Sequence, residues 1–159
     1  MRHQPWTYEP RESPQPLVFL VGQNPGKSRL KVKRALEGNR TGDFIQSLLK
    51  EHGLTNVYLT NVCQDTQLTI QNTQEGAWAL YHDVERLEPK YIVLMGAAAQ
   101  KYAILPPSYI RHVSLGTAKT VVAMPHPSHV LRFNKADQIK LYHKLFKDLH
   151  DRTQQGPRN

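Results

Sequence analysis

Two carboxamides, one imidazole and a set of small residues stand in this chain where their chemistry can be combined. Asn24 lies in Val21-Gly22-Gln23-Asn24-Pro25-Gly26, Asn61 in Leu59-Thr60-Asn61-Val62, and His126 in Pro125-His126-Pro127-Ser128, with Gly96-Ala97-Ala98-Ala99 between the last two. A carboxamide donates and accepts side by side, so it can read the amide edge of a planar heterocycle or hold a water molecule. A neutral imidazole can donate to a carbonyl oxygen on which negative charge develops. No Ser-His-acid or Cys-His arrangement can be read from these stretches, so they do not predict a hydrolase triad.

The elements that must position these groups follow from the apolar runs. Leu17–Val21, Val57–Thr60, Tyr91–Met95 and Thr120–Met124 are rich in Val, Ile, Leu and Tyr without clean alternation, the pattern of strands covered on both faces. Helical spacing appears over about 43–52, 74–87, 97–104 and 135–150. In the first of these Phe44, Ile45, Leu48 and Leu49 share a face behind Asp43, and in the last Ile139, Leu141, Tyr142, Leu145, Phe146 and Leu149 form a broad stripe. Strands alternating with helices predict an α/β/α sandwich, three layers around a mostly parallel four-stranded sheet. Ligands of such sheets bind beyond the carboxyl ends of the strands, where all the stretches above fall. The expected organisation is an irregular proline-rich arm over 1–16, one domain over 17–150 and a flexible polar tail over 151–159.

Composition narrows the partner. The 159 residues suffice for one domain with its own core, and 21 Lys and Arg against 13 Asp and Glu give a formal charge of +8 that suits a polyanion. Cys63 is the only cysteine, which excludes internal disulfides, a Cys-rich zinc site and an iron–sulfur cluster on its usual thiolates. No apolar run approaches the roughly 18 residues of a membrane span, and the first residues lack the apolar stretch of a signal peptide. The expectation is a soluble intracellular protein, cytoplasmic or associated with DNA there.

The segment Val21–Gly26 resembles the first motif of the uracil-DNA glycosylase superfamily, and Pro125-His126-Pro127-Ser128-His129-Val130-Leu131-Arg132 resembles its second. Leu59–Val62 and Val93–Ala99 are similar to the family's middle segments and stand in the expected order, so the similarity runs from about Leu17 to Arg132. The resemblance implies a monofunctional DNA glycosylase, monomeric and free of metal and other cofactors, which flips a pyrimidine out of DNA and hydrolyses its glycosidic bond. It places Asn24 where the family positions the attacking water. Because Asn cannot accept a proton as a general base, the first motif is closest to the mismatch-specific branch, and a slower chemical step is expected. Asn61 takes the place of the pyrimidine-reading Asn, with Gln23 and Gly26 also at the base. His126 would face the pyrimidine O2 as the bond breaks. Ser128 and the backbone near Ala97 would hold phosphate, Arg132 would pair with phosphate, and Val130 or Leu131 would fill the space left by the flipped base.

Two features depart from the family's pattern. Gly26 stands where some members carry a bulky aromatic that excludes thymine, which leaves room for uracil or a 5-substituted, modified pyrimidine. Gly38-Asn39-Arg40-Thr41-Gly42-Asp43-Phe44 resembles the segment in which iron–sulfur members carry a stacking Phe, but Phe44 is displaced into the helix, and the cluster cysteines are missing. Three other readings compete with this one. Gly22–Ser28 approximates a nucleotide-binding P-loop but has three residues between its glycines where four are needed. His126 and His129 lack a third metal ligand, and Pro127 between them predicts a loop. The third reading, a non-catalytic DNA-binding relative that reads a flipped base, is compatible with the residues.

Overall fold

A computed structural model of the chain describes residues 6–8, 16–24 and 35–154. The elements in chain order are β1 (Trp6–Tyr8), β2 (Val18–Gly22), α1 (Arg40–Glu51), β3 (Val57–Asn61), α2 (Ile70–Leu87), β4 (Tyr91–Met95), α3 (Ala97–Tyr102), β5 (Ile110–Arg111), β6 (Thr120–Met124), α4 (Pro127–Arg132) and α5 (Ala136–Gln154). The three-layer α/β architecture is the one predicted, but among the described residues the sheet has six strands in the order β1-β3-β2-β4-β6-β5, not four. The four apolar runs are its parallel centre, and the two additions are its edges. β1 pairs antiparallel with β3 from within the arm expected to be irregular, and the two-residue β5 pairs parallel with β6. Edge strands this short leave no periodic apolar signal, which is why the sequence hid them.

The central strands are covered on both faces, and their alternate residues divide between two cores. Val18, Leu20, Val57, Leu59, Tyr91 and Val93 pack under α1, α4 and α5, around Ile45, Val130 and Phe146. Phe19, Val21, Tyr58, Ile92, Leu94 and Val121 face the other way, toward Leu80 and Val84 of α2 and Ala99 of α3. All these strands point the same way, and the register Gly22↔Asn61, Val21↔Leu94 and Met95↔Met124 makes their carboxyl ends terminate along one line.

Local chemistry sets the helix boundaries. Asn39 caps α1, its Oδ1 accepting from the Gly42 amide at 2.8 Å, so the helix begins three residues before the apolar face predicts. Thr69 caps α2 in the same way through the Asn72 amide. α5 continues to Gln154, into the tail expected to be flexible, with Lys147–Asp151 and Arg152–Asp148 ion pairs one turn apart along it. α4 departs from the loop that Pro127 predicts. Proline fits the first turn of a helix, where its missing N–H had no partner to lose. Among the described residues no helix is long and apolar enough to cross a membrane.

One contact holds α2 against the end of β3 and tests this packing. A Cβ on Gly76 would lie 2.0 Å from the backbone oxygen of Val62 and 2.9 Å from Cα of Cys63. Gly76→Ala should therefore destabilise the fold by about 3 kcal/mol, because neither backbone can give way. Urea denaturation measures it, and a variant as stable as the parent would contradict the close packing of α2.

Candidate active site

The carboxyl end of β3 presents Asn61, which is 2% exposed. Pairing runs past the strand ends, since the Val62 amide donates to Gly22 O and the Cys63 amide to Gln23 O, both at 3.0 Å, so Asn61 is held rigidly beside β2. Gln64 Nε2 donates to the Asn61 carbonyl at 2.8 Å and fixes the following turn. The Asn61 side chain lies over Gly22, where a Cβ would stand 2.5 Å from its Oδ1. Its Nδ2 is buried and, among the described residues, has no hydrogen-bond partner. Leaving such a donor unmet costs about 1–3 kcal/mol, so Asn61 Nδ2 is a candidate for a partner beyond the described residues. Leu36, at φ 56°, brings Cδ2 into the same corner, 3.4 Å from the Gly22 Cβ position.

Asn24 follows two residues after the end of β2. Its Nδ2 donates to the backbone oxygen of Thr66 at 3.0 Å. A backbone oxygen only accepts, so the contact fixes which end of the carboxamide is nitrogen and turns Oδ1 away from the Thr66 loop as an acceptor. Gln23 contributes its backbone oxygen to the β3 extension described above. Gly26 lies outside the described residues.

His126 stands at the carboxyl end of β6 and caps α4 with its own ring. Nδ1 accepts from the Ser128 amide at 3.1 Å and lies 2.8 Å from the Ser128 hydroxyl. A backbone N–H can only donate, so Nδ1 carries the lone pair and the proton of the neutral ring is on Nε2. Tyr142 donates to the Pro125 carbonyl and fastens this loop to α5. The ring packs against Gly96, where a Cβ would come within 2.8 Å of His126 Cδ2 and where φ is 95°, in the left-handed region that favours glycine. Burial, and to a smaller degree the charge of His129, lower the His126 pKa below its ordinary 6.5. A half-buried neutral imidazole with its proton on Nε2 is a hydrogen-bond donor that needs no proton from solvent.

Asn61 and His126 stand on β3 and β6 with β2 and β4 between them, so their backbones are about 14 Å apart at the usual strand spacing. Side chains reaching inward from those two ends can bracket one planar ring, with the backbone of Gly22 and Gly96 as the floor.

Outward from His126, a cavity of about 370 Å³ is lined by Arg40, Ser128, His129, Leu131, Arg132 and Phe133. Ser128 and Arg132 are exposed there, as is Ala97 at the start of α3. Val130 is fully buried in the core under α4, so it is withdrawn from the residues that could enter DNA; Leu131, on the next position around the helix, is only half-buried. Phe44 packs edge-on against the Tyr142 ring at 5.5 Å and is committed to the core, as its place in the helix foretold. Two neighbours of this cavity carry no signal in the sequence. Arg40 Nη2 donates to the Leu131 carbonyl at 3.1 Å, tying α1 to α4 across 91 residues of chain. Phe133, 56% exposed, packs against the His129 ring at a tilt, centroids 4.8 Å apart, beside the Arg132 guanidinium.

A comparison with protein-family models matches residues 10–150 to the family described as Uracil DNA glycosylase superfamily. No curated protein matches the chain.

The depressed His126 pKa has a measurable consequence. Its imidazole signals in an NMR titration should show a midpoint below 6.5. As pH falls from 6.5 to that midpoint the unfolded chain takes up a proton the native ring refuses, so the residue should subtract stability over that window and nothing further below it. A midpoint above 6.5 would mean the ring is charged at its post.

Proposed function

The chain belongs to the uracil-DNA glycosylase superfamily, a family of DNA glycosylases, and on that premise we propose that it extrudes a pyrimidine nucleotide from DNA and hydrolyses its N-glycosidic bond, leaving an abasic site. The observation that carries this reading is the buried, unpartnered Nδ2 of Asn61, on the same line of strand ends as a neutral His126 that holds its proton on Nε2. In the proposed complex Asn61 Nδ2 donates to the pyrimidine O4 and Oδ1 accepts from N3–H, a pairing that both uracil and thymine offer and cytosine does not. The empty donor of the free protein is thereby satisfied, so binding gains what folding gave up.

The reaction divides between two side chains. Asn24 Oδ1 accepts a hydrogen bond from the water that adds to the sugar C1′, orienting it without taking its proton. The C1′–N1 electron pair leaves with the base, the negative charge spreads to O2, and His126 Nε2–H donates to that oxygen. The water's proton passes to solvent and the base anion is protonated after it departs. Since charge stabilisation at O2 carries most of the work, the substrates are pyrimidines whose anions leave readily: uracil, thymine in mismatches and 5-substituted relatives, a range that suits a glycine at position 26, where some relatives carry a bulky aromatic. No lysine stands at a motif position suited to Schiff-base chemistry, so the chemistry stops at the abasic site.

The protein acts as a monomer on DNA. Leu131 fills the gap left by the flipped nucleotide, with Phe133 beside it, while Arg132, Ser128 and the backbone at Ala97 hold the flanking phosphates, so affinity falls as salt rises.

Oligonucleotides carrying uracil, thymine opposite guanine, or 5-modified pyrimidines, assayed for abasic sites, test the proposal. Base release is expected from at least one of them. His126→Ala should lower the single-turnover rate about 10²–10³-fold and Asn24→Ala should also cripple release, both with DNA binding largely kept. Full activity in both variants would refute these roles. Tight binding with no release from any duplex would instead make the protein a reader of flipped bases.

A further inference from the structure

At the other end of α1, far from the strand ends that meet the base, three metal-ligating atoms converge. His52 Nε2 and His143 Nδ1 are 2.8 Å apart, and the Glu51 carboxylate oxygen Oε2 is 3.4 Å from the His143 nitrogen and 3.7 Å from that of His52. The rings meet at 64° with centroids 5.1 Å apart, so they are not stacked and their nitrogens face one point. α1 is 12 residues long, which puts this cluster about 18 Å from the Arg40 end that touches α4.

We propose that Glu51, His52 and His143 form a binding site for a divalent transition-metal ion of the zinc class, with water completing a tetrahedron. The atoms themselves argue for it. Between two neutral imidazoles there is one proton to share, so one ring nitrogen presents a bare lone pair toward its neighbour while a carboxylate oxygen stands close to both. A cation at the centre satisfies all three. With metal–ligand bonds of about 2.0–2.2 Å, the edges of a tetrahedral site measure about 3.3–3.5 Å. The His143–Glu51 edge already has that length, the His52–Glu51 edge needs to close slightly, and the His52–His143 edge opens by about half an ångström through ring rotation.

The setting suits a permanent ion. His52 closes α1, its amide bonded to the Leu48 and Lys50 carbonyls, and its side chain is only 15% exposed, so one ligand is preplaced by the fold. His143 sits on α5, whose core face is fixed by Tyr142 and Phe146. One turn along α5, Lys147 is engaged by Asp151 at 3.2 Å. Imidazole and carboxylate together suit zinc, nickel, copper or cobalt better than magnesium or calcium. The ion would clamp the last turn of α1 to α5 and stabilise the native chain by binding it in preference to the unfolded one. It plays no part in base release.

The test uses the full chain without any affinity tag, stripped with chelator and titrated calorimetrically with Zn²⁺. In parallel, Co²⁺ is added and its visible absorption followed for the bands of a tetrahedral ion. One ion per chain at micromolar affinity or tighter is expected, together with a higher melting midpoint in zinc. Glu51→Gln and His143→Ala replace partly exposed side chains, and each should weaken binding by about tenfold or more and abolish the thermal shift while leaving base release unchanged. Absence of binding by the parent chain overturns the site. So does unchanged zinc affinity in both variants, which would place the ion on other histidines.

Discussion

The site depends on two missing side chains. At Gly22 and Gly96, the positions where β2 and β4 stop, a single Cβ would collide with the carboxamide of Asn61 and the ring of His126 respectively. Because these strands sit between β3 and β6, their bare backbones form the floor onto which groups from the outer pair fold inward. A parallel sheet brings strand ends together automatically. It does not leave space there, since each end normally carries a side chain pointing up or down from the sheet. The glycines make that space, and the positive φ at Gly96 also turns the chain directly into α3.

Within that space the fold sets protonation and orientation before any ligand arrives. His126 caps α4, so the same amide that needs a partner at the start of the helix takes the lone pair of Nδ1 and assigns the proton to Nε2. Helix formation and donor readiness are thus one event. Protonating Nδ1 would cost the cap as well as the solvation of a buried charge, and both effects oppose a charged ring. Asn24 is governed similarly, its amide nitrogen spent on Thr66 so that the oxygen is the end left to face a ligand. Asn61 Nδ2 is left in deficit among the described residues, and it is the group whose partner, on the proposed reading, arrives with the DNA.

Much of this was legible in the sequence for physical reasons. The four central strands carry unbroken apolar runs because both their faces are covered, and the motif residues lie just beyond those runs because a parallel sheet gathers its ligands there. What escaped was set by contacts between distant segments. β1 exists only because β3 offers an open edge, and α4 because His126 could cap it. Arg40 joins Leu131, and His52 joins His143, each across 91 residues, a separation at which no spacing rule applies.

The short α4 shows how a buried core and an exposed tool can share six residues. Consecutive positions on a helix point about 100° apart, so Val130 can be fully buried under the sheet's helical layer while Leu131 turns toward the cavity and Arg132 toward solvent. On the proposed reading, anchoring by Val130 is what suits Leu131 to act as a wedge: it must resist the pressure of stacked bases, and a loop without a buried neighbour would yield. Arg40 adds resistance by holding the Leu131 carbonyl from the start of α1, itself fixed by the Asn39 cap. The last turn of α1 meets α5 at the histidine pair, so the helix that holds the Leu131 carbonyl at one end is itself held at the other.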